Sequence, residues 1–311
     1  MSNSTPSRLG LKQGGTDADE LFLKVWSGEV LTAFSERNKI GTRFYTRTID
    51  SGKSASFPAT WKATAAYHTP GTELVGQKID HSERLINVDK LLVSDVFIAL
   101  IDEAKNHYDV RSIYSNECGA ALARQMDKTV AQVAVRAARV SATFTQGNAG
   151  GNYTDAAVGT NVDKLETGIK KAAQAFDEKD VDEAGRMVFL KPAQYYLLLD
   201  SNKLASRDYS GMPGVDYASG MVTRATGMEI VKSNNIPSTN ISGSVNVEYD
   251  GDFTTTVAFV ATPQAVGTVK LLDIQSEGEY QISKQGTLLV SKYAMGHGIL
   301  RPECAFELKS S

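Results

Sequence analysis

One long helix constrains the fold of this chain more than any other feature. Residues 113–140, with the sequence IYSNECGAALARQMDKTVAQVAVRAARV, carry apolar side chains at helical spacing along one face. Those side chains are Leu122, Met126, Val130, Val133 and Ala137. At 1.5 Å per residue such a helix is about 40 Å long, which is unusual in a globular domain. The sequence therefore predicts a fold that contains one unusually long helix as its main element.

The opposite face of this helix is basic. It carries Arg124, Lys128, Arg136 and Arg139 at turn-like intervals. Surface helices often carry such charges, so a solvated face is one interpretation. The other interpretation is an electrostatic contact with a polyanion, made through phosphates without reading a sequence.

Residues 51–93 form a second unusual segment. The sequences SASFPATW (54–61) and ERLINVDKLLV (83–93) predict two extended strands with a polar tip between them. Pro58 places the first strand at an edge or in an arm. The segment has little apolar surface, and an isolated two-stranded ribbon is marginal in water. We therefore expect this hairpin to lie against something else.

The remaining elements predict the α+β class. Helices are expected near 162–176 and from Pro192, and a strand at 186–192. Further strands are expected at MEIVKSN, TTTVAFVAT, VGTVKLLD, EYQISK, TLLVSKYAM and AFELK. A chain of 311 residues can form one large domain or two ordinary ones.

Composition excludes several classes of protein. Two cysteines are too few for a disulfide framework or a cysteine zinc site, so we expect a reduced environment. A net charge of −3 is too mild for nucleic-acid binding by the whole surface, or for a membrane surface. The polar N-terminus is not typical of a signal peptide, and the apolar runs are too short to span a bilayer.

Motifs for catalysis are weak. The sequence SGKS at 51–54 is similar to the end of a phosphate-binding loop, but the first glycine of that motif is replaced by Arg47. The four histidines do not pair at metal-ligand spacing, and a Gly-x-Ser-x-Gly elbow is absent from the sequence. We expect no catalytic residues, no metal site and no cofactor, and hence not an enzyme.

The sequence KYAMGHGILRPE, at 292–303, places His297 between Gly296 and Gly298. A lone histidine without a partner in sequence is weak support for chemistry. Glycines in or at the end of a strand permit a sharp bend or a close backbone approach. We therefore expect a structural bend here, with His297 hydrogen-bonded to a backbone carbonyl.

Six stretches carry a family resemblance. They are LFLKVWSGEVLTAF (21–34), SGKSASFPA (51–59), AAYHTPGTEL (65–74), NHYDVRS (106–112), AVGTVKL (265–271) and KYAMGHGILRPE (292–303). In this order they resemble the major capsid protein of T7-like short-tailed bacteriophages, the podoviruses. Little similarity extends over residues 141–260.

The resemblance implies the Hong Kong 97-like (HK97-like) capsid fold. In that fold an N-terminal arm precedes an extended hairpin called the E-loop. A peripheral domain with a long spine helix follows, and then an axial domain. The resemblance implies residues 1–50 for the arm and 51–93 for the E-loop. The peripheral domain would comprise residues 94–179, with its spine helix at 113–140. The axial domain would comprise residues 180–262, and residues 263–311 would return to the peripheral domain.

The resemblance also implies a function and partners. Hexamers and pentamers of the chain would form an icosahedral shell, with triangulation number seven, around a double-stranded DNA genome that is held non-specifically. Implied partners are a scaffolding protein during assembly and a portal at one vertex, and a decoration protein is left open; no membrane is involved. The implied location is the virion capsid, assembled in the host bacterial cytoplasm. The alternatives are a cellular encapsulating shell of the same fold and, more distantly, a nucleotide-dependent enzyme.

The expected contact residues follow from these assignments. Phe57, Trp61 and Tyr67 on the hairpin are candidate anchors on a neighbouring subunit, because aromatic side chains dominate interface energetics. Packing against their own domain is the alternative. The basic helix face of Arg124, Lys128, Arg136 and Arg139 would face the lumen, toward DNA or a scaffold.

Overall fold

The computed structural model describes residues 38–60, 81–101, 110–142, 147–200 and 224–311, together with residues 30, 32–34, 65, 67–71, 73 and 76. The helices whose bounds fall within the described residues include α1 (Val110–Arg139), α2 (Val162–Glu178) and α3 (Pro192–Leu199). Its first strands are β1 (Tyr45–Thr48), β2 (Ser54–Thr60), β3 (His81–Asn87), β4 (Leu92–Ala99), β5 (Gly151–Thr154), β6 (Met187–Leu190) and β7 (Arg224–Ala225). The remaining strands are β8 (Met228–Lys232), β9 (Asn240–Ile241), β10 (Gly251–Asp252), β11 (Thr256–Ala261), β12 (Val266–Gln281), β13 (Gly286–Ile299) and β14 (Ala305–Lys309).

This mixture confirms the α+β class, and α1 confirms the predicted long helix. The chain divides into two compact units. The first unit comprises Met1–Lys39, Lys90–Asp127 and Leu271–Met295, and the second comprises Ile40–Asp89, Lys128–Lys270 and Gly296–Ser311. Within the described residues, none of the helices is long and apolar enough to cross a membrane.

The second unit is built on a six-stranded sheet with the order β5-β14-β11-β6-β8-β7. Every residue of β6 and β11 is buried, which is typical of central strands covered on both faces. Helix α2 buries Leu165, Ile169 and Phe176 in the core of this unit. Asn161 caps the helix, because its side chain accepts hydrogen bonds from the first-turn N–H groups.

The first unit packs the first half of α1 closely. A Cβ at Gly119 would lie 2.6 Å from the carbonyl oxygen of Val30, so glycine permits a close approach here. Asp127 on the same helix accepts a hydrogen bond from the Lys39 N–H at 3.1 Å. In the same unit, β4 pairs antiparallel with β13 from Leu92↔Tyr293 to Ala99↔Gly286.

A four-stranded sheet has the order β1-β12-β13-β4. Its strands β12 and β13 have 16 and 14 residues, and each contributes to both units. The prediction of separate strands at VGTVKLLD and EYQISK is wrong, because β12 continues through the polar residues between them. Of these residues, Gln275 and Glu277 are exposed and Ser276 is half-buried, so their polarity does not interrupt the strand.

The hairpin consists of β2 and β3, which pair with each other in a two-stranded sheet. Pro58 lies opposite Glu83, consistent with the restriction of proline to edge strands. A small apolar cluster of Ala55, Phe57, Ile86 and Val269 supports the hairpin from its own unit. The base of the hairpin is therefore fixed against the strand β12.

The strand β14 (AFELK) lies in the six-stranded sheet, between β5 and β11. The resemblance assigns this strand to the peripheral return and β11 to the axial domain. The structure pairs the two directly, from Thr256↔Lys309 to Ala261↔Ala305. The domain bounds implied by the resemblance stay a prediction.

Candidate functional site

The base of the β2–β3 hairpin is held by polar contacts within the second unit. Arg84 on β3 donates from Nε to the carbonyl oxygen of Ile299 at 3.1 Å. Its guanidinium also lies 3.4 Å from Glu248 Oε1. Both side chains are about a third exposed, so we assign this ion pair little energy and a mainly orienting role.

Asp89 provides a second anchor where β3 leaves the hairpin. Its carboxylate accepts hydrogen bonds from the Tyr249 hydroxyl and, at 3.4 Å, from the Asn246 amide. Burial raises the pKa of Asp89, while these two hydrogen bonds act to lower it. The end of the hairpin is thus attached to a segment 160 residues later in the chain.

His297 lies beside this anchor and is almost completely buried, with 3% exposure. Its Nδ1 is 2.9 Å from the Thr268 hydroxyl, and its backbone N–H donates to the Tyr249 hydroxyl at 3.1 Å. The expected bond to a backbone carbonyl is therefore replaced by a bond to a side-chain hydroxyl. Burial lowers the pKa of His297 to about 4, so the ring is neutral near pH 7.

The flanking glycines lie inside β13, which runs on to Ile299. A Cβ at Gly296 would lie 2.0 Å from the carbonyl oxygen of Asn87, and one at Gly298 would lie 2.9 Å from a side-chain atom of Ile86. Close approach to the end of β3 is thus a physical reason for both glycines. The bend that the sequence assigns to Gly296, His297 and Gly298 stays a prediction.

These contacts favour a structural role over chemistry. The ring of His297 is covered, so a substrate would have no access to it without local opening. Among the described residues, no group of three or more His, Cys, Asp or Glu side chains could hold a metal ion. These contacts hold the base of the hairpin in one orientation.

The four basic residues on one face of α1 differ in the partners that they bind. Arg139 donates to both oxygens of the buried Glu307, at 2.7 and 2.6 Å, and this hydrogen bonding raises the pKa of Arg139. Arg136 donates to the carbonyl oxygen of Val247. Arg124 is exposed and lies 3.4 Å from the exposed Glu117. Lys128 is exposed and has no ion pair with the other described residues.

The three aromatic candidates differ in placement. Phe57 is 8% exposed, and its ring contacts Tyr45 edge to face at 5.9 Å, so little of it is left for a neighbour. Tyr67 is fully exposed. Trp61 lies outside the described residues.

Sequence reasoning missed Arg84, Asp89 and Tyr249. These residues are joined to partners 160 or more positions away in the chain, and local periodicity carries no information on such pairs. A weak signal existed at Asn246, whose side chain accepts from the N–H of Glu248 and caps a short turn at Val247–Tyr249.

Comparisons with known proteins agree on one family. The family model described as "Gp10A-like: Major capsid protein" matches residues 56–309. The major capsid protein of Escherichia phage T7 is 31% identical, over 96% of this chain and 95% of that protein. The major capsid protein of Enterobacteria phage T3 is 32% identical, over 95% of this chain and 93% of that protein.

Solved structures show the same similarity. The capsid of the cyanophage P-SCSP1u has a TM-score of 0.80 at 40% identity, covering 100% of this chain and 99% of that one. The mature capsid of bacteriophage PhiM1 has a TM-score of 0.72 at 20% identity, covering 86% of both chains. A virus-like particle from Pyrococcus furiosus has a TM-score of 0.58 at 14% identity, covering 93% and 99%, and shares the fold alone.

Proposed function

The chain belongs to the Gp10A-like family of major capsid proteins, and we propose that its β2–β3 hairpin is the element that joins neighbouring copies in the shell. The chain is a capsid protein with the HK97-like fold, and it assembles into an icosahedral phage shell. Hexamers and pentamers are the assembly units that we assign to it. Its role in the virion is structural.

The observation that carries the proposal is the contrast between the base of the hairpin and its exposed side chains. The base is fixed by Arg84, by Asp89 and by the cluster around Phe57. Tyr67, in the segment between β2 and β3, is fully exposed, and Leu85, next to Arg84 on β3, is 54% exposed. A fixed base reduces the entropy that the hairpin loses on binding, so its exposed apolar groups can contribute to association.

Alanine variants of Tyr67 and Phe57 distinguish an effect on shell assembly from an effect on folding. Tyr67→Ala removes an exposed ring, so we expect an unchanged fold and a lower yield of shells. Phe57→Ala removes a ring from the cluster at the base, so we expect the chain itself to lose about 3 kcal/mol of unfolding free energy. Shell yield is measured by electron microscopy and sedimentation, and unfolding by urea titration. Unchanged yield and heat resistance of Tyr67→Ala shells would contradict the assigned role of Tyr67.

Other partners belong to the same proposal. We assign to the chain a scaffolding protein during assembly, a portal at one vertex and packaged double-stranded DNA, with assembly in the host cytoplasm. For DNA we favour Lys128 and Arg124, because Lys128 is exposed and the contact of Arg124 with Glu117 is exposed on both sides. Arg136 and Arg139 instead donate to groups of the second unit. Glutamate at both favoured positions should lower the yield of genome-filled particles while empty shells still form.

Electron microscopy of the purified protein tests the main conclusion. Closed icosahedral shells built of hexamers and pentamers are expected. A cellular shell of the same fold would enclose a protein cargo instead of a genome, and analysis of the particle contents distinguishes the two. Particles of any other symmetry, or none under any assembly condition, would contradict the shell function.

A further inference from the structure

A short loop in the second unit exposes two neighbouring valines. This valine loop, residues 243–250, has the sequence GSVNVEYD. Val245 is 66% exposed and Val247 is 75% exposed. Single exposed apolar residues are normal on a protein surface. The feature to be explained here is a pair of them on a loop that is held rigidly.

The valine loop is fixed from within. The Asp250 carboxylate accepts hydrogen bonds from the N–H groups of Gly243 at 3.2 Å and Ser244 at 2.9 Å. The Asn246 side chain accepts from the Glu248 N–H at 3.1 Å. These bonds close the loop at both ends and leave the two valines outside its polar interior.

The valine loop is also fixed from outside. Arg136 donates to the carbonyl oxygen of Val247, and the buried Tyr249 donates to Asp89. Glu248 is ion-paired with Arg84. The loop's charged groups therefore have partners inside the chain, and its exposed surface is apolar. Such a surface does not suit a nucleic acid, whose binding is dominated by phosphate charge.

We propose that the valine loop is a preformed contact that buries Val245 and Val247 against a second copy of the chain in the shell. This inference rests on the shell function. A second copy is the favoured occupant because the chain exposes matching chemistry, for instance Val93 and Phe97 on β4, at 46% and 42% exposure. Because the loop is already ordered, docking costs little further entropy.

The first test replaces both valines by threonine, which keeps their β-branched shape and exchanges one methyl group for a hydroxyl. We expect the unassembled Val245→Thr/Val247→Thr chain to keep its circular dichroism spectrum and thermal midpoint, since exposed substitutions change folding stability little. We expect it to lose most closed shells at concentrations where the wild type assembles fully. The matched control, Val245→Ile/Val247→Ile, should assemble like the wild type.

The second test measures burial directly. Val247→Cys introduces a thiol, while the native Cys118 and Cys304 are only 4% and 3% exposed and provide a low background. We expect a maleimide to label the introduced thiol in the unassembled chain and to lose that labelling in intact shells, with urea restoring it fully.

The outcomes separate this inference from the shell function. If wild-type shells form but the threonine variant assembles equally well, or the introduced thiol reacts equally fast in shells and unassembled chain, the valine loop is not a contact between copies. If the wild type forms no shells, the shell function itself is contradicted.

Discussion

Acidification should destabilise the second unit through His297. The buried imidazole has a pKa of about 4, compared with 6.5 for an unperturbed histidine. The unfolded chain therefore takes up a proton at a pH where the folded chain does not, so protons favour unfolding. The stability of the neutral buried ring is fully present above about pH 6.5 and is lost as the pH falls toward about 4. At ~1.4 kcal/mol for each tenfold change in proton affinity, the loss is about 3 kcal/mol.

A second titrating group opposes part of this change. Asp89, which contacts Tyr249, has its pKa raised by burial. A carboxyl with a raised folded-state pKa binds protons more readily in the folded chain, so acidification through its range favours folding. The hydrogen-bond partners of His297 among the described residues are the hydroxyls of Thr268 and Tyr249, and neither partner is a carboxyl group or a cation. The net loss should therefore be smaller than the value for His297 alone.

The assay compares unfolding free energy with pH for matched variants. Urea unfolding of the unassembled chain is followed between about pH 7 and about pH 4.5, a range that covers most of the window between the unfolded-state and folded-state pKa values. His297→Asn keeps a polar atom near the position of Nδ1 and removes the titrating ring. We expect it to be less stable at neutral pH, because it leaves a cavity, and to show a flatter pH dependence. His81→Gln, at an exposed position on β3, should keep the wild-type slope.

The test depends on the slope of unfolding free energy against pH, and not on the absolute stability of each variant. If His297→Asn loses stability on acidification as steeply as the wild type, the buried imidazole is not the source of the acid sensitivity. A stronger flattening in His81→Gln than in His297→Asn would lead to the same conclusion.

Two further predictions concern buried contacts of the second unit. Arg139→Met leaves the Glu307 carboxylate buried without its cation and should lower the unfolding free energy by about 3 kcal/mol in urea titration; the control Arg124→Met removes an exposed pair and should change it by less than about 1 kcal/mol. An equal effect of the two variants would contradict this assignment. Gly296→Ala places a Cβ against a backbone carbonyl oxygen and should abolish soluble expression, whereas Gly76→Ala, with open space around the Cβ, should express normally. Soluble Gly296→Ala chain of wild-type thermal stability would exclude the close approach.

The sequence predicted the elements with strong local patterns. Helix α1 was expected at 113–140 and is found at Val110–Arg139, because its apolar spacing is regular over many turns. Pro58 indicated an edge, and β2 pairs only with β3 among the described strands. The continuous course of β12 was missed, because a solvent-facing strand tolerates polar residues that resemble a loop.

The contacts that position the hairpin could not be predicted in the same way. Arg84 and Asp89 are ordinary polar residues in sequence, and their partners Glu248 and Tyr249 lie in a distant loop. The basic face of α1 was predicted as a group, but burial of Glu307 beside Arg139 divides it. Such pairings depend on tertiary packing, which one sequence without its relatives does not encode in any local period.

Tyr249 links the two surfaces to which we assign contacts between copies. Its hydroxyl donates to Asp89 at the base of the hairpin and accepts from the backbone N–H of His297. The same residue lies near the end of the valine loop, where its ring is buried. Because an unsatisfied buried polar group costs about 1–3 kcal/mol, the hairpin base and the valine loop cannot separate without breaking a bond at Tyr249. The shared anchor therefore couples the orientation of the hairpin to that of the valine loop. When a copy places its hairpin correctly on a neighbour, its valine loop is already oriented as well.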